Sequence, residues 1–292
     1  MTLRLPFSIL LTTLLTLTAC KSQSQPDSTA DSLRLVQAPW QVDSLDGFCL
    51  KQCRFGDGEL FGAAQHLFLI EIPQSSPRQL AFVCDSTPME VSAFGERARA
   101  LAAINGSYFD MDKGNPICYL RINGSPLGEN VPMPTDSVRR KYYQYATLSL
   151  GSGRPHLSVP DSNRLWEESM PDSNIMTAGP MLVWKGRRVP QRDDRTFVTH
   201  RHNRTALGLR PDGTMLLLVA DGRFAHQAEG LSLPELEHVM LWLGCTEAIN
   251  LDGGGSSTMY VRDLGGVVNY PSDNNSHDHE GQRPVSNAVI VL

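Results

Sequence analysis

The sequence lacks two features that would point to common classes of protein, an excess of basic residues and a framework of paired cysteines. Its formal net charge is −5, so it offers no large positive surface of the kind that binds nucleic-acid backbones. Among its six cysteines, only Cys49 and Cys53 are close in sequence. No second pair or nearby histidine completes a tetrahedral metal set, whereas a disulfide between these two thiols stays open.

The N-terminus, MTLRLPFSILLTTLLTLTAC, has one arginine, an apolar run and then small residues. This order predicts a secretory signal peptide over residues 1–19. The closing LTAC is similar to the lipobox of bacterial lipoproteins, so we expect Cys20 to carry lipid. Residues 20–35 are polar and predict a disordered tether behind that anchor. The expected location is the cell envelope, lipid-anchored in the outer membrane of a Gram-negative bacterium and facing the periplasm or the cell surface.

Residues 36–292 contain neither a long Pro/Ser/Gly-rich break nor an internal repeat, so they predict one domain. Many short apolar runs bounded by turn residues predict strands, several of them buried on both faces. A Ser232–Glu235 capping box predicts a helix that ends at Gly244, and a second helix is predicted around residues 89–102. We therefore expect an α+β domain with a mixed, largely antiparallel β-sheet core and a few flanking helices.

The segment NLDGGGSSTMYV, residues 250–261, places a carboxylate ahead of three glycines and two serines. It lies between two predicted strands, lacks the lysine of a Walker loop and forms no G-x-S-x-G elbow. Glycines permit positive φ angles and close approach of a ligand, so the loop predicts an anion site of backbone N–H groups with Asp252 at its mouth. A tight turn in which Asp252 caps its own loop is the alternative.

Other predicted strands also end in polar residues, which are the usual material of a site on a rigid scaffold. Asn105 and Asp110 follow one strand, Arg204 begins another, and Asp221 and Arg223 follow a third. Arginine binds phosphate through two parallel hydrogen bonds, and carboxylates handle an oxocarbenium-like transition state at a sugar. A structural role for each arginine and an Asp-Gly turn at Asp221 are the alternatives.

Six segments resemble the successive motifs of the phosphodiester glycosidase family: AINGSYFD, TAGPMLV, NRTALGL, VADGR, GLSLPELEHVMLWLGCTEAINLDGGGSSTMYV and RPVSNAVIVL. The resemblance covers about residues 95–292. It implies an α+β catalytic domain that hydrolyses a glycosyl phosphodiester to a sugar and a phosphate monoester. The chain departs from the family pattern at NNSHDHEGQ, a long loop rich in histidine and acid that we expect at the rim of the site.

The expected site residues fall into two groups. The catalytic carboxylates are Asp252, Asp221 and Asp110. The substrate- or phosphate-binding residues are Asn105, Arg204, Arg223, Gly253, Gly254, Gly255, Ser256, Ser257, Arg283, Ser286 and Asn287. No cofactor and no metal are expected, although a cation at the histidine-rich loop stays open. The expected partners are a sugar-phosphate diester or phosphate-containing glycan and, through the lipid, a membrane.

Two other classes of protein fit parts of the sequence. A non-catalytic, glycan-binding envelope lipoprotein would keep the apolar framework but would turn over no sugar-phosphate diester. A metal-dependent phosphodiesterase would attack phosphorus with a metal-bound hydroxide and would lose activity with a chelator.

Overall fold

The computed structural model describes residues 28–131, 141–151, 155–160, 166–191 and 195–292. Cys20, the predicted signal peptide and residues 20–27 of the predicted tether lie outside these ranges. Within the described ranges, no helix is both long and apolar enough to cross a membrane.

Strands in the described ranges form three sheets, and every pairing in them is antiparallel. The spatial order of the eight-stranded sheet is β1 (Gln41–Ser44), β2 (Cys49–Leu60), β3 (Ala63–Ile72), β14 (Met215–Ala220), β13 (Arg204–Leu209), β15 (Glu247–Asn250), β11 (Met181–Trp184) and β12 (Arg187–Arg188). A five-stranded sheet has the order β7 (Ser125–Gly128), β6 (Leu120–Ile122), β10 (Ile175–Ala178), β8 (Ala146–Leu150) and β9 (Pro155–Ser158). A second one has the order β17 (Gly266–Val267), β16 (Met259–Val261), β5 (Ala102–Asn105), β18 (Val285–Val291) and β4 (Leu80–Met89).

Short helices flank the sheets, which confirms the expected α+β class with a largely antiparallel core. The α-helices of the described ranges are α1 (Ser28–Val36), α2 (Val91–Ala98), α3 (Trp166–Ser169), α4 (Thr196–Thr199) and α5 (Leu233–Trp242). Single 3₁₀ turns occur at Tyr142–Gln144, Gly254–Ser256 and Arg262–Leu264.

The eight-stranded sheet is buried on both faces, as its central strand β3 shows. Phe68 and Ile70 point into a core shared with the two smaller sheets. Leu67 and Leu69, on the opposite face, point into a core shared with α1 and α5. Successive side chains of a strand alternate between faces, so a strand segment between two cores is apolar at consecutive positions, as at residues 67–70 and as the sequence predicted for several strands.

Helix α5 begins and ends where the sequence predicted. The Ser232 hydroxyl accepts a hydrogen bond from the Glu235 backbone N–H at 3.4 Å, and the Glu235 carboxylate accepts one from the Ser232 N–H at 2.8 Å. This reciprocal pair satisfies backbone donors that the first turn of a helix leaves open. The helix ends at Trp242, just before Gly244 takes a φ of +89°. The second predicted helix is also confirmed, as α2.

The prediction that residues 20–35 form a disordered tether is wrong for residues 28–35, which form most of helix α1. Leu35 is fully buried, and Asp31, one turn earlier on the same face, accepts a 2.9 Å hydrogen bond from the Arg34 guanidinium. Helix α1 lies against α5 and β2. Tertiary packing of a single leucine therefore orders a segment that its polar composition alone would leave unfolded.

The possible disulfide between Cys49 and Cys53 is absent, since all five cysteines in the described ranges are free thiols. The two residues occupy the first and fifth positions of strand β2. Four residues of extended strand span about 13 Å, which is well beyond the roughly 7 Å limit between the Cα atoms of a bridged pair.

If α1 belongs to the folded domain, Leu35→Ala should lower the free energy of unfolding by about 2–4 kcal/mol, because it removes a buried side chain from a packed core. Leu33→Ala is the matched control. Leu33 lies in the same helix but is 54% exposed, so its replacement should change stability by no more than about 0.5 kcal/mol. Urea denaturation of both variants would measure the difference, and equal effects would contradict the packing of α1.

Candidate active site

Three strands of the large sheet bring polar residues to one edge. Strand β13 lies between β14 and β15 and runs antiparallel to both, with Arg204 opposite Ala220 and Ala206 opposite Asn250. The carboxyl ends of β14 and β15 and the start of β13 therefore meet at the same edge. Asp221 directly follows β14, and Asp252 follows β15 by two residues.

The glycine loop is held against the start of β13. The Gly254 N–H donates to the Asn203 carbonyl at 2.9 Å, and Gly254 itself takes a φ of +63°. Only glycine adopts that left-handed conformation without strain. The predicted reason for a glycine here, a positive φ angle, is therefore confirmed at Gly254.

Asp252 lies at the mouth of this loop and is partly exposed. Its carboxylate accepts a 2.9 Å hydrogen bond from the Gly253 N–H, so the capping arrangement considered as an alternative is present. Burial raises the pKa of Asp252 to about 6, against the lowering effects of the Ser256 hydroxyl, the Gly253 amide and the positive charge of Arg283. A carboxylate with such a pKa changes protonation state near neutral pH while remaining open to a ligand.

Two arginines flank the glycine loop. A Cβ atom added to Gly254 would lie 2.8 Å from Nη2 of Arg223, so that guanidinium sits directly over the loop. A Cβ atom added to Gly255 would lie 2.5 Å from Nη2 of Arg283. Arg223 is exposed, whereas Arg283 is paired with Asp273, with a shortest distance of 2.6 Å. An anion at the loop would therefore meet one accessible guanidinium and a second that already has a carboxylate partner.

Asp221, predicted to be catalytic, is enclosed. Its side chain has no exposed surface, and it accepts hydrogen bonds from the Asn269 amide at 2.9 Å and from the Tyr270 N–H at 3.2 Å. Burial raises its pKa to about 7. These contacts place Asp221 beneath the 269–270 segment as a scaffold residue, which differs from the catalytic role expected from the sequence.

His66 lies next to Asp221, with Nδ1 at 3.6 Å from the carboxylate, which is too long for a hydrogen bond. Burial lowers the pKa of His66 to about 3, with the charge of Arg54 adding to that effect. Burial thus favours the neutral form of both groups. We therefore describe this contact as a polar pair in the interior rather than an ion pair.

Asn105 and Ser257 form part of the floor of the loop. The Asn105 amide donates to the carbonyl of Asp252 at 2.7 Å, and its oxygen accepts from the Thr205 hydroxyl at 2.8 Å. That hydroxyl also lies 3.1 Å from the hydroxyl of Ser257. Because both predicted binding residues are fully buried and bonded inside the protein, they position the loop instead of lining an open surface.

Ser286, Asn287 and Ser256 are also fully buried. The Asn287 amide accepts from the backbone N–H of Ser107 at 2.7 Å and donates to the hydroxyl of Ser286 at 2.7 Å. The RPVSNA motif thus fixes the turn that follows β5. Ser286 and Asn287, predicted to bind substrate, are thus bonded inside the protein, whereas Ser256 is buried next to Asp252.

Arg204 and Asp110 are engaged elsewhere. The buried Arg204 guanidinium donates to the carbonyls of Leu231 at 2.8 Å and Phe197 at 2.7 Å, so the structural alternative describes it better than a phosphate clamp. Burial lowers its pKa to about 10. The Asp110 carboxylate accepts from the N–H groups of Asp112 and Lys113, at 3.0 and 3.1 Å, and so caps its own turn.

The histidine-rich loop packs on Tyr270. The His277 ring stacks on the Tyr270 ring with centroids 4.1 Å apart, and Nδ1 of His279 lies 2.7 Å from the Asn269 carbonyl oxygen. Across the described ranges, no group of three or more histidine, cysteine or acidic side chains is arranged to hold a metal ion. The described residues of this loop therefore offer no group of three such side chains that could bind a cation.

Sequence reasoning missed Asn269, Tyr270 and the aromatic residues beside the site. Asn269 and Tyr270 stand in the segment NYPSD, which carries no pattern of its own. The side-chain amide of Asn269 and the backbone N–H of Tyr270 are recognisable only as hydrogen-bond donors to the buried Asp221 carboxylate. A buried carboxylate needs hydrogen-bond donors, but the burial of Asp221 was not predicted from the sequence.

The fold and this edge define an α+β protein in which a partly exposed carboxylate lies beside a glycine loop and two arginines. The family model described as phosphodiester glycosidase matches residues 98–292, which is more than half of the chain. The chain belongs to the phosphodiester glycosidase family.

Curated relatives match only a part of the chain. N-acetylglucosamine-1-phosphodiester alpha-N-acetylglucosaminidase of Mus musculus is 39% identical over 77 residues, which are 26% of this chain and 14% of that protein. The SPbeta prophage-derived uncharacterized protein YomE of Bacillus subtilis (strain 168) is 38% identical over 73 residues, 25% of this chain and 11% of that protein. The chain thus spans only a small share of either relative's length.

A solved structure supports the fold over most of the chain. The zebrafish N-acetylglucosamine-1-phosphodiester alpha-N-acetylglucosaminidase catalytic domain, auto-inhibited by its pro-peptide, aligns with a TM-score of 0.64. The alignment covers 86% of this chain and 87% of that chain at 18% identity, so the likeness shows the fold.

Replacing Gly254 by alanine should abolish most activity on a sugar-phosphate diester, because the new Cβ would displace the Arg223 guanidinium from the loop. Gly62→Ala is the matched control, since Gly62 has a similar φ of +69° but no heavy atom within 4 Å of the position that a Cβ would take. Both variants should lose about 1–2 kcal/mol of stability through backbone strain. Thermal melts and initial rates would be compared, and normal rates in Gly254→Ala would contradict this account of the loop.

Proposed function

We propose that the protein hydrolyses a glycosyl phosphodiester at the bond between the sugar and the phosphate oxygen. One observation supports this most directly: a partly exposed carboxylate, Asp252, stands beside a glycine loop over which the exposed guanidinium of Arg223 lies. The name of the mammalian relatives suggests an N-acetylglucosamine 1-phosphodiester as the first substrate to try.

The two halves of the site suit the two halves of such a substrate. The exposed guanidinium of Arg223 favours a phosphate, because it presents hydrogen-bond donors and positive charge. The loop N–H groups of Gly253 and Gly254 already donate to Asp252 and Asn203, so the predicted cradle of backbone amides is not part of this proposal. A carboxylate favours the positive charge that develops on the sugar ring when the glycosidic bond breaks. The order along the substrate would be phosphate over the glycine loop and anomeric carbon at Asp252.

The proposed reaction needs Asp252 in its ionised form. Asp252 either attacks the anomeric carbon or removes a proton from the attacking water, and in both cases the bond between that carbon and the phosphate oxygen breaks. The electron pair stays on the departing phosphate, which is a good leaving group. The oxygen of water ends on the sugar, and all the phosphate oxygens are retained.

Hydrolysis in oxygen-18 water tests which bond breaks. We expect the released phosphate monoester of a methyl N-acetylglucosamine 1-phosphodiester to contain no label, and the sugar sampled early to contain it. Phosphate is the more reliable product to measure, because the anomeric hydroxyl exchanges with water on standing. Label in the phosphate would indicate attack on phosphorus, and loss of activity with a chelator would then support the metal-dependent alternative.

The Asp252→Asn variant tests the carboxylate. We expect kcat to fall by at least about two orders of magnitude with little change in the melting temperature, as is typical for a positioned acid-base or nucleophilic group. In the wild type, kcat/KM should decrease on the acid side through an apparent pKa near 6, because burial has raised the pKa of Asp252 and the protonated form cannot act. An unchanged rate in the variant would remove Asp252 from the chemistry.

We also propose that the protein is anchored in the cell envelope through lipid on Cys20, with the support of the LTAC pattern and the apolar run before it. Acyl chains contribute about 0.8 kcal/mol per buried CH₂ group, and more than one chain is needed for stable anchoring.

Cys20→Ala should move the protein from the membrane to the soluble fraction and abolish incorporation of a labelled fatty acid. Cys84→Ala, which changes a thiol within the folded domain, is the control and should leave both readouts unchanged. Full retention of the Cys20→Ala form in the membrane fraction would exclude the lipid anchor.

A further inference from the structure

Aromatic rings gather beside Asp252 in a cluster that the proposed chemistry does not use. The rings of Tyr142 and Phe197 lie 4.3 Å apart between centroids, and both side chains are partly exposed. The guanidinium carbon of Arg195 lies 4.8 Å from the centre of the Tyr142 ring. Tyr108 lies behind them, with its ring centroid 6.4 Å from that of Phe197. We call Tyr142 and Phe197 together the aromatic platform.

The platform is tied to the strand that carries Asp252. The Tyr108 hydroxyl donates to the Gly179 carbonyl at 2.8 Å, and the Asn250 amide donates to the same carbonyl at 3.0 Å. Asn250 is the last residue of β15, two residues before Asp252. A Cβ atom added to Gly179 would lie 2.9 Å from the Tyr142 carbonyl oxygen, so the backbone of Tyr142 rests directly on this junction.

Electrostatic effects also indicate that the platform lies near Asp252. Burial raises the pKa of Tyr142, and the negative charge of Asp252 adds to that rise. The pKa of Tyr108 is likewise raised by burial first and by Asp252 second. The platform and the carboxylate therefore lie within range of each other's charge.

The platform is rigid because a buried arginine supports it. The Arg204 guanidinium carbon lies 5.1 Å from the centre of the Phe197 ring, and Nη2 donates to the carbonyl of Phe197. This role accounts for a fully buried arginine at the edge of the site. A surface held in this way loses little conformational entropy when a ligand binds.

We propose that the aromatic platform binds the sugar ring of the substrate by stacking on the outer face of Tyr142, over which Arg195 now lies, and that Arg195 moves aside to contact the hydroxyl groups of the sugar. This inference rests on the proposed function. A pyranose presents a face of C–H groups that packs against an aromatic ring, and a ring of hydroxyl groups that accept hydrogen bonds from a guanidinium. Arg223 and Arg283, beside the glycine loop, provide the positive charge that suits the phosphate. The aromatic platform, in contrast, suits the uncharged sugar, and Asp252 is within electrostatic range of both Tyr142 and Arg283.

Tyr142→Ala, Tyr142→Phe and Tyr145→Ala form a matched set of variants. Tyr145 belongs to the same turn but is 43% exposed, so its replacement controls for the loss of a nearby tyrosine. With the methyl phosphodiester of N-acetylglucosamine, Tyr142→Ala should raise KM at least tenfold, equivalent to about 1.4 kcal/mol of binding free energy. Tyr142→Phe and Tyr145→Ala should keep KM within about threefold of the wild type and melt like it. Tyr142→Ala should melt at a lower temperature, because it removes a ring packed against Phe197, but should still unfold in one cooperative transition.

Two further measurements decide what the platform binds. Saturation-transfer NMR with free N-acetylglucosamine should show contact with wild-type protein and with Tyr142→Phe, and a loss of signal with Tyr142→Ala. Replacing the methyl group of the diester by benzyl should leave the Tyr142→Ala effect on KM the same. The contrary result is a lower KM for the benzyl diester than for the methyl diester in the wild type, with Tyr142→Ala removing only that difference. The platform would then bind the group beyond the phosphate, and the proposal would be overturned.

The outcomes separate the platform from the reaction. If the wild type cleaves the diester while Tyr142→Ala leaves KM and sugar contact unchanged, the sugar platform is refuted and the hydrolase proposal stands. If no sugar-phosphate diester is cleaved but free sugar binds through Tyr142, the platform stands and the hydrolase proposal fails. A wild-type protein that neither cleaves the diester nor contacts the sugar refutes both.

Discussion

The side-chain amide of Asn105 connects the parts on which the site depends. It lies at the end of β5, in one of the smaller sheets, and reaches across to the large sheet. There it binds the carbonyl of Asp252 at 2.7 Å and the hydroxyl of Thr205 at 2.8 Å, and it lies 3.3 Å from the N–H of Thr258. One buried group thus fixes the glycine loop at both ends and joins it to β13. A buried amide with all its partners in place costs little, whereas losing one partner leaves an unpaired polar group in the interior.

This arrangement also decides which carboxylate is exposed. Asp221 and Asp252 follow two parallel-running strands on either side of β13, yet only Asp252 stands where a ligand can reach it. Asp221 is covered by the 269–270 segment that it binds. Desolvation raises the pKa of both, but at Asp221 the outcome is a stable interior contact and at Asp252 a group that titrates near neutral pH. The same sequence pattern, Asp followed by Gly, therefore has two physical roles at one edge.

The sequence allowed the architecture and the centre of the site to be predicted. Apolar runs and the capping box before α5 are local signals, and they led to the α+β class and the correct helix. The glycine loop was also recognisable, because three successive glycines after an aspartate indicate a backbone conformation that other residues rarely adopt. The burial of individual site residues was not predictable from local signals of this kind. Asn105 was correctly located at a strand end, but its full enclosure depends on which sheet covers it.

Other features depended on contacts between distant segments. Helix α1 is polar enough to suggest disorder, and only the packing of Leu35 against α5 and β2 explains its order. The aromatic platform joins Tyr142 and Phe197, which are 55 residues apart in the chain and belong to no motif. Such pairings carry no local period that a sequence reading can detect.

A crystal structure of the Asp252→Asn variant with a non-hydrolysable sugar phosphonate would test the central claim most directly. The account predicts phosphonate oxygens above the glycine loop, within hydrogen-bonding distance of the Arg223 guanidinium. It also predicts the anomeric carbon about 3–3.5 Å from the side chain of residue 252, which is the separation expected before bond formation. A phosphonate bound away from the loop, or a sugar pointing away from residue 252, would contradict it.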